Sequence, residues 1–173
     1  MLLYIIAVLL MIALDQAVKL WALTSLQAQH TIPLIENVFH LTYVENRGAA
    51  FSLFAQFDSR WIFVALACVI TVVILIALQK KYMQTVLGRW SLVLIAAGAL
   101  GNAIDRVAHG FVVDLFDFRL IHFPVFNVAD IFICIGGALF VIYFMFQHKD
   151  KQPENDNNNE EQGSETDELE RKQ

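Results

Sequence analysis

Two cysteines and five histidines are all that this 173-residue chain could offer a disulfide framework or a metal centre, and neither set is arranged for one. Cys68 and Cys134 both sit inside apolar runs and read as small packing residues. His30, His40, His109, His122 and His148 are scattered, with no H-E-x-x-H pair, so metal-assisted hydrolysis has no ligand set to start from. No glycine-rich loop is placed to cradle a phosphate, no basic cluster invites nucleic acid, and no internal repeat is visible. Only three prolines interrupt a sequence that is 57% hydrophobic and holds 14 phenylalanines, which excludes an ordinary soluble domain. The composition is that of a membrane protein.

Charge is scarce where the chain is apolar and dense where it is not. Residues 149–173 carry nine acids against Lys149, Lys151, Arg171 and Lys172, so this tail alone accounts for the net charge of -5. Its "KDKQPENDNNNEEQGSETDELERKQ" has almost no large apolar group and reads as a disordered, solvated cytoplasmic tail.

Spanning a bilayer takes about 20 apolar residues as a helix, and four stretches approach that length, at about 2–23, 61–78, 86–104 and 126–146. The first has no basic n-region, contains Asp15 and Lys19 and shows no convincing small-residue cleavage site, so it is expected to be a retained helix and not a removed signal peptide. Lys80, Lys81 and Arg89 after the second span and Lys149 and Lys151 after the fourth place those segments, and both termini, in the cytoplasm. The segment 24–60 then lies outside, where "VFHLTYVEN" alternates apolar and polar residues as a short strand or hairpin does. The expected fold is an all-α membrane protein, four transmembrane helices with a small extracytoplasmic β element, in which 1–148 form the functional domain.

This topology gathers the costly polar residues at one membrane face. Asp15 and Lys19 are spaced i, i+4 and can pair along the first helix, either as a structural ion pair or as part of a site. Gly98, Asn102 and Asp105 recur on one stripe of the third helix, with Arg106 leaning over the same region. Gly98 and Gly101 also suit a helix-packing surface. Asn127 precedes Asp130 by one turn on the fourth helix, with Cys134 and Gly137 continuing that face, so Asp130 is expected to look into the bundle. Asp114 comes from the outer loop between the third and fourth spans and can fold back toward Asp130. Charges at bilayer depth normally face a bundle interior or a wet cavity, which makes this cluster a site hypothesis by default.

Two carboxylates brought together there cannot both ionise cheaply, so one acid and one base coexist near neutral pH. That is the requirement of aspartic hydrolysis, which needs no metal or cofactor. A Ser/Lys hydrolase using Ser52 and Lys19 has no local motif behind it. A proton-coupled transporter relaying through Asp15, Asp105 and Asp130 lacks a continuous polar pathway, since the inner halves of the helices are apolar. A non-catalytic scaffold that docks through its tail leaves the buried acids unexplained.

The ordered set "DQAVK" (15–19), "ENRGAAFS" (45–52), "GALGNAIDR" (98–106), "VVD" (112–114) and "FNVAD" (126–130) resembles the lipoprotein signal peptidases, the signal peptidase II family of membrane aspartic proteases. The likeness covers about residues 10–145. It implies that Asp114 and Asp130 form the catalytic dyad, that Asn46, Gly98, Asn102, Asp105, Arg106 and Asn127 line or brace the substrate pocket, and that Asp15 and Lys19 support it. It also implies a prolipoprotein substrate bearing a diacylglyceryl-modified cysteine, cleaved on the amino side of that cysteine. Further implications are a monomer in the bacterial cytoplasmic membrane, an active site near the extracytoplasmic face, no nucleic-acid partner, contact with membrane lipid, and inhibition by globomycin-type cyclic peptides. Asp117, three residues after Asp114, does not match the motif position.

Overall fold

The structure, a computed structural model, describes residues 1–48 and 60–147. The end of "ENRGAAFS", with Ser52, and the tail at 149–173 lie outside the described residues, as does His148. The chain divides into a compact unit, Met1–Val141, and a second unit, Ile142–Gln173; residues 142–147 of the latter are helical.

Four helices follow the four apolar runs: α1 (Leu2–Trp21), α2 (Arg60–Gln79), α3 (Val86–His109) and α4 (Val128–Gln147). All four are long and apolar enough to cross a membrane, α1 together with the π-helical turn Ala22–Leu26 that extends it. In a bilayer such helices satisfy their own backbone groups, so their outer surfaces can stay greasy. Leu9, Leu10, Val69, Val73 and Val141 accordingly point outward.

α3 is the hub. It holds eleven buried residues, while α1 and α2 bury two each. Its start is capped by the Thr85 hydroxyl, which accepts the Gly88 N–H at 3.1 Å. Its end is closed by Gly110 at φ +83°, whose N–H reaches the Arg106 carbonyl. The helix runs past the apolar stretch that ends near 104, because Asn102 and Asp105 find partners on α1, α4 and the sheet and do not need lipid or water to satisfy them.

The outer segment is more ordered than period-two alternation alone implies. β1 (Thr31–Ile35) and β2 (Phe39–Asn46) form a hairpin, and β3 (Val112–Phe118) joins the far side of β2, giving an antiparallel sheet of order β1-β2-β3. Asp114 therefore stands on a strand and not in a loop as the sequence reading had it. "VVDLFDF" concealed this because its central strand partner lies nearly 70 residues away. A bulge in β2 between Leu41 and Val44 changes the parity of that strand, so that Leu41 faces Phe116, Val44 faces Asp114 and Asn46 faces Val112. Val113 and Leu115 pack with Ala22 and Leu26, fixing the sheet on the end of α1.

α4 meets α3 through a face one residue away from the one read in the sequence. Ala129 lies against Gly98, where a Cβ would strike the Ala129 carbonyl, and Gly136 lies within 2.8 Å of the Ser91 carbonyl, counted from the position its Cβ would take. A Cβ at Gly137 would meet nothing within 4 Å, and Cys134 is exposed, as is Cys68. The two cysteines are thus outward-facing and not core packing residues. Small side chains at 134 and 137 imitated a packing stripe, whereas close approach of the backbones selects 129, 133 and 136.

Candidate active site

Asp114 and Asp130 are brought to one place by a single asparagine. The Asn127 side-chain N–H₂ donates to Asp114 Oδ1 at 2.7 Å, and its Oδ1 accepts the backbone N–H of Asp130 at 3.0 Å. Asp130 Oδ2 in turn accepts the Asn127 backbone N–H at 3.2 Å. This reciprocal pair is a capping box at the start of α4. Its consequence is that the Asp130 carboxyl is held in the first helical turn, against the orphan N–H groups of the helix start.

Asp114 is 1% exposed on β3. Its other oxygen, Oδ2, accepts Asn46 Nδ2 at 3.0 Å from the end of β2, a diagonal contact that the bulge makes possible. Burial pushes the Asp114 carboxyl up from 3.8 to about 6; the hydrogen bonds from Asn46 and Asn127 oppose this, the Asp130 charge adds to it, and the Lys19 charge opposes it.

Beneath this pair lies a buried ion cluster. Lys19 Nζ spends its three donors on Asp15 Oδ2 at 2.9 Å, Asp105 Oδ2 at 3.1 Å and Asn102 Oδ1 at 2.9 Å. Asp15, Lys19 and Asp105 are each 1% exposed. Each acid also holds a backbone N–H immediately ahead of Asp130 or Asp114: Asp15 Oδ1 accepts Ala129 N–H at 2.8 Å, and Asp105 Oδ2 accepts Val113 N–H at 3.0 Å. Asn102 completes the link upward. Its Oδ1, which also accepts Asn127 Nδ2 at 3.1 Å, is turned toward Lys19, so its N–H₂ faces Asp130 Oδ1 at 2.8 Å.

Arg106 donates to the Asn102 carbonyl at 3.2 Å and lies over the Phe63 ring at 4.6 Å, within the field of Asp130, Asp114 and Asp105. Gly98 supports the site by letting α4 approach, and Gly101 serves similarly, since a Cβ there would come within 2.7 Å of Asp15 Oδ2. All ten residues singled out from the sequence, Asp15, Lys19, Asn46, Gly98, Asn102, Asp105, Arg106, Asp114, Asn127 and Asp130, thus belong to one connected region.

Two members were not singled out. Gln16 donates to Asp105 Oδ1 at 2.9 Å and to the Gly101 carbonyl at 3.2 Å; it lies inside the "DQAVK" motif, which was the signal that could have found it. Phe63 could not be found, because one phenylalanine among fourteen carries no mark of its position. Asp117 stands apart. Three residues from Asp114 on a strand, it points to the opposite face, sits across from His40, and is held by the Thr42 hydroxyl at 2.7 Å and Arg119 at 2.9 Å. Its slight burial would raise its pKa, but those two bonds and the Arg119 charge outweigh that and hold it below the usual carboxylate value. Among the described residues, no three His, Cys, Asp or Glu side chains gather as a metal ligand set.

Four membrane-length helices, a polar network closed off at one end of them, and two carboxylates held by shared amides define a multi-pass membrane protein with the makings of a hydrolytic site. Comparison with known proteins is specific about which. Residues 7–146 match the family described as Signal peptidase (SPase) II, and the chain belongs to that family of proteases. A lipoprotein signal peptidase of Clostridioides difficile is 51% identical over 144 residues, covering 83% of this chain and 95% of the relative. One from Halothermothrix orenii is 46% identical over 147 residues, covering 83% and 96%. A bacterial membrane enzyme solved at 2.3 Å by the in meso method superposes with a TM-score of 0.77 at 26% identity, over 88% of this chain and 93% of the other.

Proposed function

We propose that this protein is an aspartic endopeptidase that removes signal peptides from diacylglyceryl-modified prolipoproteins, cleaving on the amino side of the lipidated cysteine, with Asp114 and Asp130 as its catalytic pair. The observation that carries the reading is the Asn127 bridge, which joins both carboxyl groups through one side chain and its own backbone. Burial of Asp114 and its rise to about 6 supply the second requirement, a carboxyl that can hold a proton close to neutral pH.

The chemistry follows from a pair that shares one proton. The ionised carboxylate takes a proton from water as its oxygen attacks the scissile carbonyl, and the protonated carboxyl polarises that carbonyl. Collapse of the tetrahedral adduct breaks the C–N bond, and a carboxyl proton goes to the departing amine of the lipidated cysteine. Asn102, Asn127 and Asn46 fix the two carboxyl planes, and Arg106 balances charge beside them.

A site at the end of the helices suits a lipidated substrate, since its acyl chains can stay among lipid while the peptide reaches the pair. On this reading the site lies near the extracytoplasmic face of the bacterial cytoplasmic membrane, both termini are cytoplasmic, and the enzyme acts as a monomer open to globomycin-type inhibitors. The test is gel-shift cleavage of a lipidated precursor by purified enzyme. Asp114→Asn and Asp130→Asn should each abolish cleavage, and unlipidated precursor should turn over poorly. A fully active Asp130→Asn enzyme would sink the mechanism, and equal turnover of both precursors would remove the lipid-reading part.

A further inference from the structure

At the opposite end of the helices from the polar site, α1 and α2 flank α3 without closing over it, and the gap is a groove of about 290 Å³. Tyr4, Ile5 and Leu9 of α1 form one wall, Leu75 and Leu78 of α2 the other, and Ala96 of α3 the floor. Thr71 contributes a hydroxyl, but it is already spent on the Ala67 carbonyl of its own helix at 2.7 Å. The groove is therefore an apolar slot that nothing in the catalytic proposal uses.

Its mouth differs from its depth. The α2 positions that line it, 71, 74, 75 and 78, run down to the last turn of the helix, and Lys80 and Lys81 stand exposed two and three residues beyond Leu78. Tyr4 of the α1 wall also meets Trp90 of α3 edge-on, with ring centroids 5.7 Å apart. Amphipathic aromatics belong at the headgroup level of a membrane. Basic residues there attract anionic headgroups, and basic pockets between membrane helices bind acidic lipids.

We propose that this groove is a binding site for one anionic glycerophospholipid, with an acyl chain lying on Ala96 between α1 and α2 and the phosphate at Lys80 and Lys81. Size separates this occupant from a peptide. A helix at least about 10 Å across would fill the groove in less than one turn, whereas an extended hydrocarbon chain fits along it. Charge separates it from a neutral lipid, because two lysines at one mouth favour a net negative headgroup.

The site is tested by native mass spectrometry of the full chain in detergent, titrated with dioleoyl phosphatidylglycerol or dioleoyl phosphatidylcholine. One phosphatidylglycerol should be retained with a preference of roughly fivefold per lysine over phosphatidylcholine. Lys80→Gln with Lys81→Gln should bring that preference near unity. Leu75→Trp and Leu9→Trp, both at outward-facing positions that line the groove, should fill it and displace both lipids while far-UV circular dichroism stays unchanged. Equal retention of the two lipids by the unaltered protein, a preference that survives loss of both lysines, or unchanged binding in the folded tryptophan variants would each overturn the assignment. None of these readouts involves peptide cleavage, so the lipid site and the proposed activity stand or fall separately.

Discussion

Replacing Lys19 by methionine removes a positive charge from between two acids while nearly preserving side-chain length. In the native protein its ammonium lies 2.9 Å from Asp15 and 3.1 Å from Asp105, so their oxygens are no farther apart than the combined reach of those contacts. At a separation of about 6 Å and an effective dielectric of about 20, two bare carboxylates repel by roughly 3 kcal/mol. Mutational experience with buried pairs gives a similar figure, about 3–5 kcal/mol when one partner is removed and the other stays buried. For a domain of this size that corresponds to a fall in Tm of about 10 °C.

The loss should also reach the dyad, because Asp15 and Asp105 hold the N–H groups of Ala129 and Val113, and Asn102 loses the donor that sets its orientation. Cleavage should fall at least tenfold, mainly in kcat. The discriminating variant is Lys19→Met combined with Asp15→Asn and Asp105→Asn. It removes all three charges but leaves amide oxygens for the same two backbone donors, so it should regain most of the lost Tm. Intrinsic tryptophan fluorescence in detergent during heating, with gel-shift cleavage before and after, reads both quantities. If Lys19→Met melts within a degree of the parent, or the triple variant melts no higher than Lys19→Met, the clamp as argued from these distances is wrong.

Other substitutions test separate parts of the network. Asp114 has its carboxyl raised to about 6 on folding, so between pH 3.8 and 6 the folded state holds a proton that the unfolded state has released, and stability falls as pH rises through that window. The full penalty, about 3 kcal/mol, is present above it, and Asp114→Asn should flatten this slope in Tm measured across pH 4–7. Gly98→Ala should force α4 away from α3 at the Ala129 carbonyl, costing about 1–3 kcal/mol and more activity than stability, read as kcat against Tm. Asp117→Asn should retain substantial cleavage, since that carboxyl serves Thr42 and Arg119 on the other face of the strand. Asn127→Ala removes the amide between the two acids and should cost at least a hundredfold in kcat with a smaller change in KM.

The polar half of the site was legible in the sequence because lipid makes polarity expensive. Asp15, Lys19, Asn102, Asp105 and Asp130 are conspicuous in apolar helices, and the i, i+4 and i, i+7 spacings place several of them on common faces. The sheet was less legible. β1 and β2 announce themselves by alternation, but β3 reads as a hydrophobic loop because its pairing with β2 is distant in sequence. The α3–α4 contact was misread for a related reason, since periodicity gives a face only to within about one residue. Gly136 and Gly137 are indistinguishable until the carbonyls they approach are known.

The buried cluster also explains why an apparent stability liability persists. Taking Asp15, Lys19 and Asp105 out of water carries a desolvation cost that their mutual attraction only partly offsets, and hydrophobic residues of the same volume would be at least as stable. Hydrophobic residues could not, however, accept the N–H groups of Ala129 and Val113. Those two groups lie at the start of a helix and on the outer side of an edge strand, where no ladder partner is available, and each directly precedes one of the two aspartates. If those aspartates are the proposed catalytic pair, their geometry must be fixed to a fraction of an ångström. The charged cluster therefore trades bulk stability for the placement of two backbone segments, and breaking it should be felt in kcat as well as in the fold.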